Sequence, residues 1–517
     1  MTDTWEKQYA AADRLAREGD FMAARDAYAR LRSPMTDVKR LALVTSDLGT
    51  LDALQGNRES AARHFVTALH LDRACRAAID NLELLQNSQN GEDEKTTHSK
   101  AGRKIAILSF LFNWPSTGGG IVHTVELAGF LQRAGYDVRL FGVRYEPWRI
   151  GRVDAGCPFP VEAVPFEAAE WSLDAVKRKL RAAVDGFAPD AAIVTDAWNA
   201  KPHLVEALAG YRVFLRMQAQ ECLCPLNNLR LLPTPGGVTQ CPDEQLSNPD
   251  ACRRCLVANA GTSGDLHRLE RELSGTDQPD CHARLLKSLQ DAEAVLVLNP
   301  RVAETLRPHC RRVEVVTWGM DPERFPPPRT ARKPASGGTS ILFAGLTREF
   351  IKGFHVLRDA CFQLWAERRD FELVVTDDQP AECEPFARYV GWQSQQRVPH
   401  WYRDTDVTVV PTIVQDGLSR TSVEAMAASR PVVAARIGGI PFTVSDKETG
   451  LLFEPGNSAD LATKLRRLLD DPDMGRELGR RGRRVFEDRF SWPEVIRRHY
   501  VPLLGEPVIS QTVRQGA

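Results

Sequence analysis

The chain has 517 residues, room for three to four domains at about 150 residues each. Its 67 Lys and Arg against 68 Asp and Glu leave a formal charge of -1, which argues against nucleic-acid binding through a broad basic face. With 43% apolar residues, 36 Gly and 32 Pro, the composition fits ordinary cores and excludes collagen-like and low-complexity chains.

The first 86 residues read as all-helical and repeat themselves. Gly19-Asp20-Phe21 returns as Gly56-Asn57-Arg58, Ala24 matches Ala61 and Tyr28 matches Phe65, all at an offset of 37. Ala68 follows the second aromatic, and Leu48-Gly49 precedes Gly56. This resembles tetratricopeptide repeats, in which small residues let paired helices approach and an aromatic fills the groove between them; the usual period is about 34. A last helix is expected near 77–85. Such repeats expose a concave face for a protein partner or an acceptor, or else simply cap the next domain.

Residues 87–103 are polar and aperiodic and read as a linker. An apolar strand at 104–110 then runs into Ser116-Thr-Gly-Gly-Gly120, a helical pattern from Val122 to Leu131, and a second strand at 137–143. Strand, glycine turn, helix and strand make a βαβ unit. Further strands are expected at 191–195 and 294–298. A second Pro/Gly-rich linker at 326–338 precedes a new α/β rhythm, with strands at 340–344, 371–375, 407–410 and 431–434. The expected fold class is therefore α/β: two Rossmann-like parallel-sheet domains, 104–325 and 339–490, facing a cleft and preceded by the small helical repeat domain. A crossing helix at 491–505 and a tail at 506–517 complete the division.

Three loops carry charge or glycine where strands end. Gly119 and Gly120 can give way to a phosphate at a helix N-terminus. Arg348 and Lys352, in Gly345 to Phe354, put two cations at a helix start, where they oppose the helix dipole unless an anion joins them. Asp416 and Glu424 stand eight apart, one in a loop and one in a helix; they suit hydroxyl recognition, or equally a cap and an ion pair.

Taken together, residues 103–505 resemble glycosyltransferase family 4. The resemblance rests on Gly119-Gly120, on Trp318-Gly-Met-Asp-Pro-Glu-Arg-Phe325, on Lys352-Gly353 and on Asp416 to Glu424. Pro431-Val-Val-Ala, Gly438-Gly439, Thr449-Gly450-Leu-Leu-Phe and Phe490-Ser-Trp492 follow in the family's order. It implies the GT-B fold and retaining transfer of a sugar from a nucleotide-sugar donor to a glycan, lipid-linked or protein acceptor, with no cofactor required for catalysis. In that reading Lys352, Asp416 and Asp196 are the catalytic residues. Gly119, Gly120, Arg348, Lys352, Gly417, Leu418 and Glu424 bind the donor. The first acidic residue is Asp416 where the family has glutamate, Leu346 stands where it has arginine, and Thr195 replaces a histidine, with Asp196 beside it. A nucleotide-sugar epimerase on the same scaffold, and a catalytically degenerate nucleotide-binding scaffold, are the alternatives.

Outside this pattern, Cys222, Cys224, Cys241, Cys252 and Cys255 lie within 34 residues in an insertion at 220–260. Cys252-Arg-Arg-Cys255 has the spacing of half a zinc site, so four of the five are expected to hold one structural zinc. The run Arg476, Arg480, Arg481, Arg483 and Arg484 reads as a solvated helix face. No stretch reaches the about 20 apolar residues of a membrane span, and the opening residues lack the apolar core of a signal peptide. The expected location is the cytoplasm, with peripheral contact at the inner membrane face compatible with the sequence, and no nucleic-acid partner.

Overall fold

The computed structural model describes residues 2–17, 20–32, 37–54, 57–72, 75, 77–79, 81–82, 103–116, 118–154, 156–234, 237–262, 264–325, 338–394, 397–415 and 417–507. They fall into two compact units, residues 1–100 with 153–158, and residues 101–152 with 159–517. Apart from residues 103 and 338, the linkers expected at 87–103 and 326–338 lie outside the described residues, as does the tail beyond 507.

The first unit is built from helices Thr2–Arg17, Phe21–Arg32, Val38–Leu54 and Arg58–Leu71, with helical turns again at 77–79 and 81–82. The positions matched in sequence play matched parts. Ala24 and Ala61 are fully buried, Tyr28 and Phe65 are the buried aromatics of their pairs, and Ala68 joins the core. A Cβ at Gly49 would lie 2.7 Å from Phe65 Cε1, so glycine sets the approach of the third and fourth helices. Their polar seam centres on buried Asp52, which accepts from Arg25, from Ser60 Oγ at 2.6 Å and from His64 Nδ1 at 2.8 Å.

The second unit opens with β1 (Lys104–Leu108), β2 (Asp137–Arg144), β3 (Val161–Pro165), β4 (Ala191–Val194) and β5 (Val213–Arg216). An antiparallel hairpin, β6 (Leu231–Thr234) and β7 (Gly237–Gln240), precedes β8 (Ala294–Val297) and β9 (Val313–Val315). The first sheet is parallel throughout, in the order β3-β2-β1-β4-β5-β8-β9. The second contains β10 (Thr339–Phe343), β11 (Phe371–Val375), β12 (Ala387–Tyr389), β13 (Val407–Val410), β14 (Val432–Ala435) and β15 (Gly450–Phe453). It too is parallel, in the order β12-β11-β10-β13-β14-β15. Central strands such as Ala-Ala-Ile-Val, Ala-Val-Leu-Val and Val-Val-Ala-Ala are buried along their whole length, as strands sandwiched between two helical layers must be. Chain order reverses between β1 and β4 in one sheet and between β10 and β13 in the other, opening a crevice at the carboxyl ends of those strands.

The chain crosses between the two sheets twice, and the crossings lie side by side. Met320 N–H donates to Phe490 O at 2.8 Å, and Trp492 N–H donates to Met320 O at 3.0 Å. A Cβ at Gly319 would fall 2.1 Å from the Trp492 ring, so only glycine admits that indole. Trp492 also stacks on Phe130 and His123 of the helix Gly119–Arg133. Buried Arg216 fastens the outgoing crossing, its Nη1 donating to Val316 O at 2.6 Å. The chain then returns to the first sheet through Trp492–Val495, a π turn at Ile496–Tyr500, and Val501–Leu504. There Arg103 Nε donates to Glu506 O at 3.1 Å and Tyr136 Oη to Gly505 O at 2.6 Å.

The arginine run lies on the helix Pro472–Arg489 and is partnered locally: Arg476 with Asp473, Arg480 and Arg481 with Glu477, Arg483 with Glu487. Among the described residues no helix is long and apolar enough to cross a membrane.

Candidate active site

All the loops singled out in the two α/β domains lie at the carboxyl ends of the strands flanking the two reversal points. Gly119 and Gly120 begin the helix after β1, and Asp196 follows β4. Arg348 and Lys352 follow β10, and Gly417 and Leu418 follow β13. Asp416 lies outside the described residues.

The loop after β10 is shaped by its neighbours. Asp377, beyond β11, takes Thr347 N–H and Oγ1, both at 2.7 Å. Burial works against its charge, but those hydrogen bonds and nearby Arg348 hold the carboxyl below the usual aspartate range. Gly353 closes the loop at φ +71°, and a Cβ there would sit 1.9 Å from Pro411 O, so glycine is obligatory on both counts. Ile351 O accepts Ile413 N–H at 3.1 Å and Thr412 Oγ1 at 2.9 Å, which locks the loops after β10 and β13 together. Arg348 and Lys352 are left exposed on this frame. Among the described residues the Lys352 side chain makes no hydrogen bond or ion pair.

The loop after β13 is clasped by the first domain. Asn299, following β8, donates from Nδ2 to Gly417 O at 2.5 Å. Gln220 Nε2 reaches Gln415 O at 2.9 Å, and Trp318 Nε1 reaches Leu418 O at 3.2 Å. Leu418 is buried in the core beneath. Gln220 belongs to a turn built on Glu221, whose carboxylate accepts Gln218 and Ala219 N–H and pairs with Lys201 Nζ at 3.0 Å. That ion pair is fully buried; burial opposes the charge of Glu221, but Lys201 and the backbone donors hold its carboxyl below the usual range.

Glu424 lies on the helix Arg420–Ala427, capped by Ser419, whose side chain accepts from Ser422 N–H. Both its oxygens are engaged: Oε1 by Arg420 Nε and Oε2 by Tyr402 Oη, each at 2.9 Å. Arg420 also meets Glu126 on the helix after β1, at 3.2 Å. Glu126 in turn accepts Arg324 Nη1 at 2.9 Å and Trp492 Nε1 at 3.1 Å. Glu126, Arg420, Asn299, Gln218 and Gln220 were not marked by the sequence. Of these only Arg420 left a trace there, its i, i+4 spacing to Glu424.

Neither Gly119 nor Gly120 adopts positive φ. A Cβ at Gly119 would touch nothing within 4 Å, and one at Gly120 would come no closer than 3.7 Å to Gln218. Their backbone is ordinary helix start, and what glycine provides there is open space.

Asp196 lies where β4 meets Ala197, which is held at a strained φ of 134°. Thr195 Oγ1 donates to Asp196 Oδ1 at 3.2 Å. Burial pushes the carboxyl up, against the pull of Ser109, Lys201 and Thr195. The folded chain therefore keeps this proton to higher pH than the unfolded chain. Below the ordinary aspartate range both states are protonated and the residue costs nothing. As pH rises through that range the unfolded state deprotonates first, and stability falls until the folded value is passed. Asp196→Asn is expected to melt above the wild type at about pH 7.5 and to lose that advantage toward about pH 4. Thermal melts at the two pH values check this.

The cysteines divide. Cys222 is buried in the first domain's core beside Glu221 and Cys310. Cys224, Cys241 and the helix Pro249–Ala258 with Cys252 and Cys255 flank the β6–β7 hairpin, and among the described residues no three His, Cys, Asp or Glu side chains are grouped so as to hold a metal ion.

The architecture is the GT-B type, two Rossmann-like domains facing across a cleft. Sucrose-phosphate synthase from Thermosynechococcus elongatus superposes with a TM-score of 0.54 at 19% identity, over 78% of this chain and 99% of that one. Anabaena HepE in complex with UDP and glucose gives 0.53 at 15% identity, over 78% and 100%. Residues 338–471 match the family described as Glycosyl transferases group 1. In sequence the chain is 30% identical over 227 residues to the 2-deoxystreptamine glucosyltransferase of Streptomyces kanamyceticus, covering 39% of this chain and 58% of that one. It is 31% identical over 235 residues to D-inositol 3-phosphate glycosyltransferase 2 of Catenulispora acidiphila, covering 39% and 55%. The chain thus spans little more than half the length of these curated relatives.

Proposed function

We propose that this chain is a retaining glycosyltransferase of family 4, moving a sugar from a nucleoside-diphosphate donor to a glycan, lipid-linked or protein acceptor. The observation that carries the reading is Lys352, an exposed cation without a partner among the described residues, on a loop locked at the reversal point of the second sheet. As the sugar–phosphate bond breaks, charge builds on the departing diphosphate. Lys352 and Arg348 meet that charge where a metal would otherwise be needed, and fixed charges of this kind need no reorganisation at the moment of reaction. Gly417 and Leu418 line the sugar side, with Asp416 as the residue for its hydroxyls. Asp196 serves the acceptor from the opposite domain, and the open space at Gly119 and Gly120 admits the donor. Glu424 receives the ribose by exchanging its bond to Tyr402 or Arg420 for a hydroxyl. The N-terminal helical pairs, read as tetratricopeptide-like repeats, recruit the acceptor or a partner protein.

The solved relative with UDP and glucose and the curated glucosyltransferase make UDP-glucose the first donor to try. The test is release of nucleoside diphosphate from a panel of nucleotide sugars, with thermal shifts recorded on the same samples. Turnover of one donor with an acceptor supports transfer. Conversion of the free donor without an acceptor would point to an epimerase. Stabilisation without turnover on any acceptor, consistent with the engaged state of Glu424, would leave a nucleotide-binding scaffold. No response to any nucleotide would sink the reading.

A further inference from the structure

The two loops at the reversal point of the second sheet are fastened from different sides. The loop after β10 is set by Asp377, Gly353 and Thr412, all of the second domain. The loop after β13 begins in the same way, with Thr412 and Ile413 tied to Ile351. From Gln415 onward the hold passes to the first domain and the crossing that leaves it. Gln220 Nε2 donates to Gln415 O at 2.9 Å, Asn299 Nδ2 to Gly417 O at 2.5 Å, and Trp318 Nε1 to Leu418 O at 3.2 Å. All three donor side chains are buried. Gly417 is also packed from both domains. A Cβ on it would stand 3.2 Å from Leu298 Cδ1, and a Cβ on Gly439 would fall 2.1 Å from Gly417 O. Gly439 has an ordinary φ of -83°, so what it supplies is room for that carbonyl.

We propose that Asn299 and Gln220 are positioning residues for the donor sugar: the first domain sets the loop that meets the sugar, while the second domain alone sets the loop that meets the diphosphate. This rests on the donor reading given above for Lys352, Gly417 and Leu418. A peptide unit is planar, so holding its C=O also fixes the N–H on its opposite edge. The bonds to Gly417 O and Leu418 O thereby orient the N–H groups of Leu418 and Ser419, which make no hydrogen bond among the described residues. The nucleoside diphosphate binds wherever the second domain is intact. The sugar is oriented for transfer only while the first domain holds the loop.

Both donors are themselves held in place. Asn299 Oδ1 caps the helix Pro300–Leu306 by accepting Val302 N–H at 3.2 Å, so one end of the amide is spent on its own helix and the other meets the loop. Gln220 rides on the turn set by the buried Glu221–Lys201 pair, and its own N–H donates to Asn228 O at 3.0 Å. The same turn reaches the helix after β1, where Gln218 Nε2 donates to Gly120 O at 3.3 Å. One turn of the first domain therefore touches both the glycine helix start and the loop of the second domain.

The test compares full-length wild type with Asn299→Ser and Gln220→Met. Serine caps a helix about as well as asparagine but is too short to reach Gly417 O, and methionine keeps the length of glutamine without its donor. Three quantities are read: hydrogen exchange of the peptide spanning 411–420 without ligand, nucleoside-diphosphate binding with UDP first, and turnover of UDP-glucose or of whichever donor the panel identifies. Expected are faster exchange at 411–420, diphosphate affinity within about twofold of wild type, and kcat lower by about 10–100-fold, the size expected when a reacting group is displaced by about an ångström. Unchanged exchange, or faster exchange with unchanged turnover, would overturn the proposal. So would loss of diphosphate affinity in step with turnover, which marks a merely structural role. Wild type that binds no nucleoside diphosphate and turns over no nucleotide sugar, with exchange still faster in the variants, would instead overturn the donor reading, and with it the role toward the sugar, while the clasp itself stands.

Discussion

Lys352→Ala is expected to slow donor turnover by about 10²–10³-fold while leaving the melting temperature where it was. The two halves of that expectation come from different observations. Lys352 is exposed and makes no side-chain hydrogen bond or ion pair among the described residues, so removing it costs the folded state little. The loop that carries it is set by Gly353, Thr347 and Ile351, none of which the substitution touches. In the proposed reading what is lost is a charge facing the leaving diphosphate, an interaction that grows as the bond breaks and so falls on kcat more than on KM. Lys352→Arg, which keeps the charge, should recover part of the rate. Steady-state kinetics with the donor identified by the panel would decide it; an alanine variant within about twofold of wild type would remove Lys352 from the donor site.

Glu126→Ala is expected to destabilise the α/β unit by about 3 kcal/mol and to raise the KM for the donor. One carboxylate here serves three donors from three segments: Arg324 on the outgoing crossing, Trp492 on the returning one, and Arg420 on the helix of the second domain. The Arg420 side chain is 17% exposed, and its Nη1 has no hydrogen-bond partner even in the intact structure. Truncation leaves Arg420 with Glu424 alone where it now has two carboxylates, beside a second guanidinium, and removing one partner of a buried charge is the costly case. The value is set toward the lower end because Arg324 is partly exposed and water can take up some of its charge. The effect on KM follows from the bond between Arg420 and Glu424: with Glu126 gone, Arg420 falls back wholly on Glu424, the carboxylate assigned to the ribose. Glu126 thus acts as a positioning residue. Denaturant unfolding of Glu126→Ala, Arg420→Ala and the double variant, with donor KM for each, separates the two effects. If the single variants each cost under about 1 kcal/mol, the carboxylate does not hold the crossings.

The framework was legible where burial on both faces leaves a continuous apolar run. Strands at 371–375 and 407–410 fall on β11 and β13, and the runs at 104–110, 191–195 and 294–298 overlap β1, β4 and β8. Strands without such a run were missed. β3, β9 and β12 sit at sheet edges and are half exposed, and β5 ends in Arg216, a cation buried to fasten a crossing some 100 residues away. The hairpin β6–β7 contains a proline and is too short to announce itself. The site divides in the same way. Its loops could be found because glycine, lysine and paired carboxylates at strand ends have a local logic. The clasp between Gln220 and Gln415 and the tie between Glu126 and Arg420 join residues 195 and 294 positions apart, and no local pattern encodes such a meeting.

The returning segment brings residue 506 to within hydrogen-bonding distance of residue 103, where the α/β body begins. In topological terms the body is nearly a closed ring whose two ends meet on its surface. A ring of this kind can be reopened elsewhere and resealed there by a short bridge, because neither sheet has a strand that depends on where the backbone is cut. It also means that a neighbouring module attached at either end of the body is delivered to the same place.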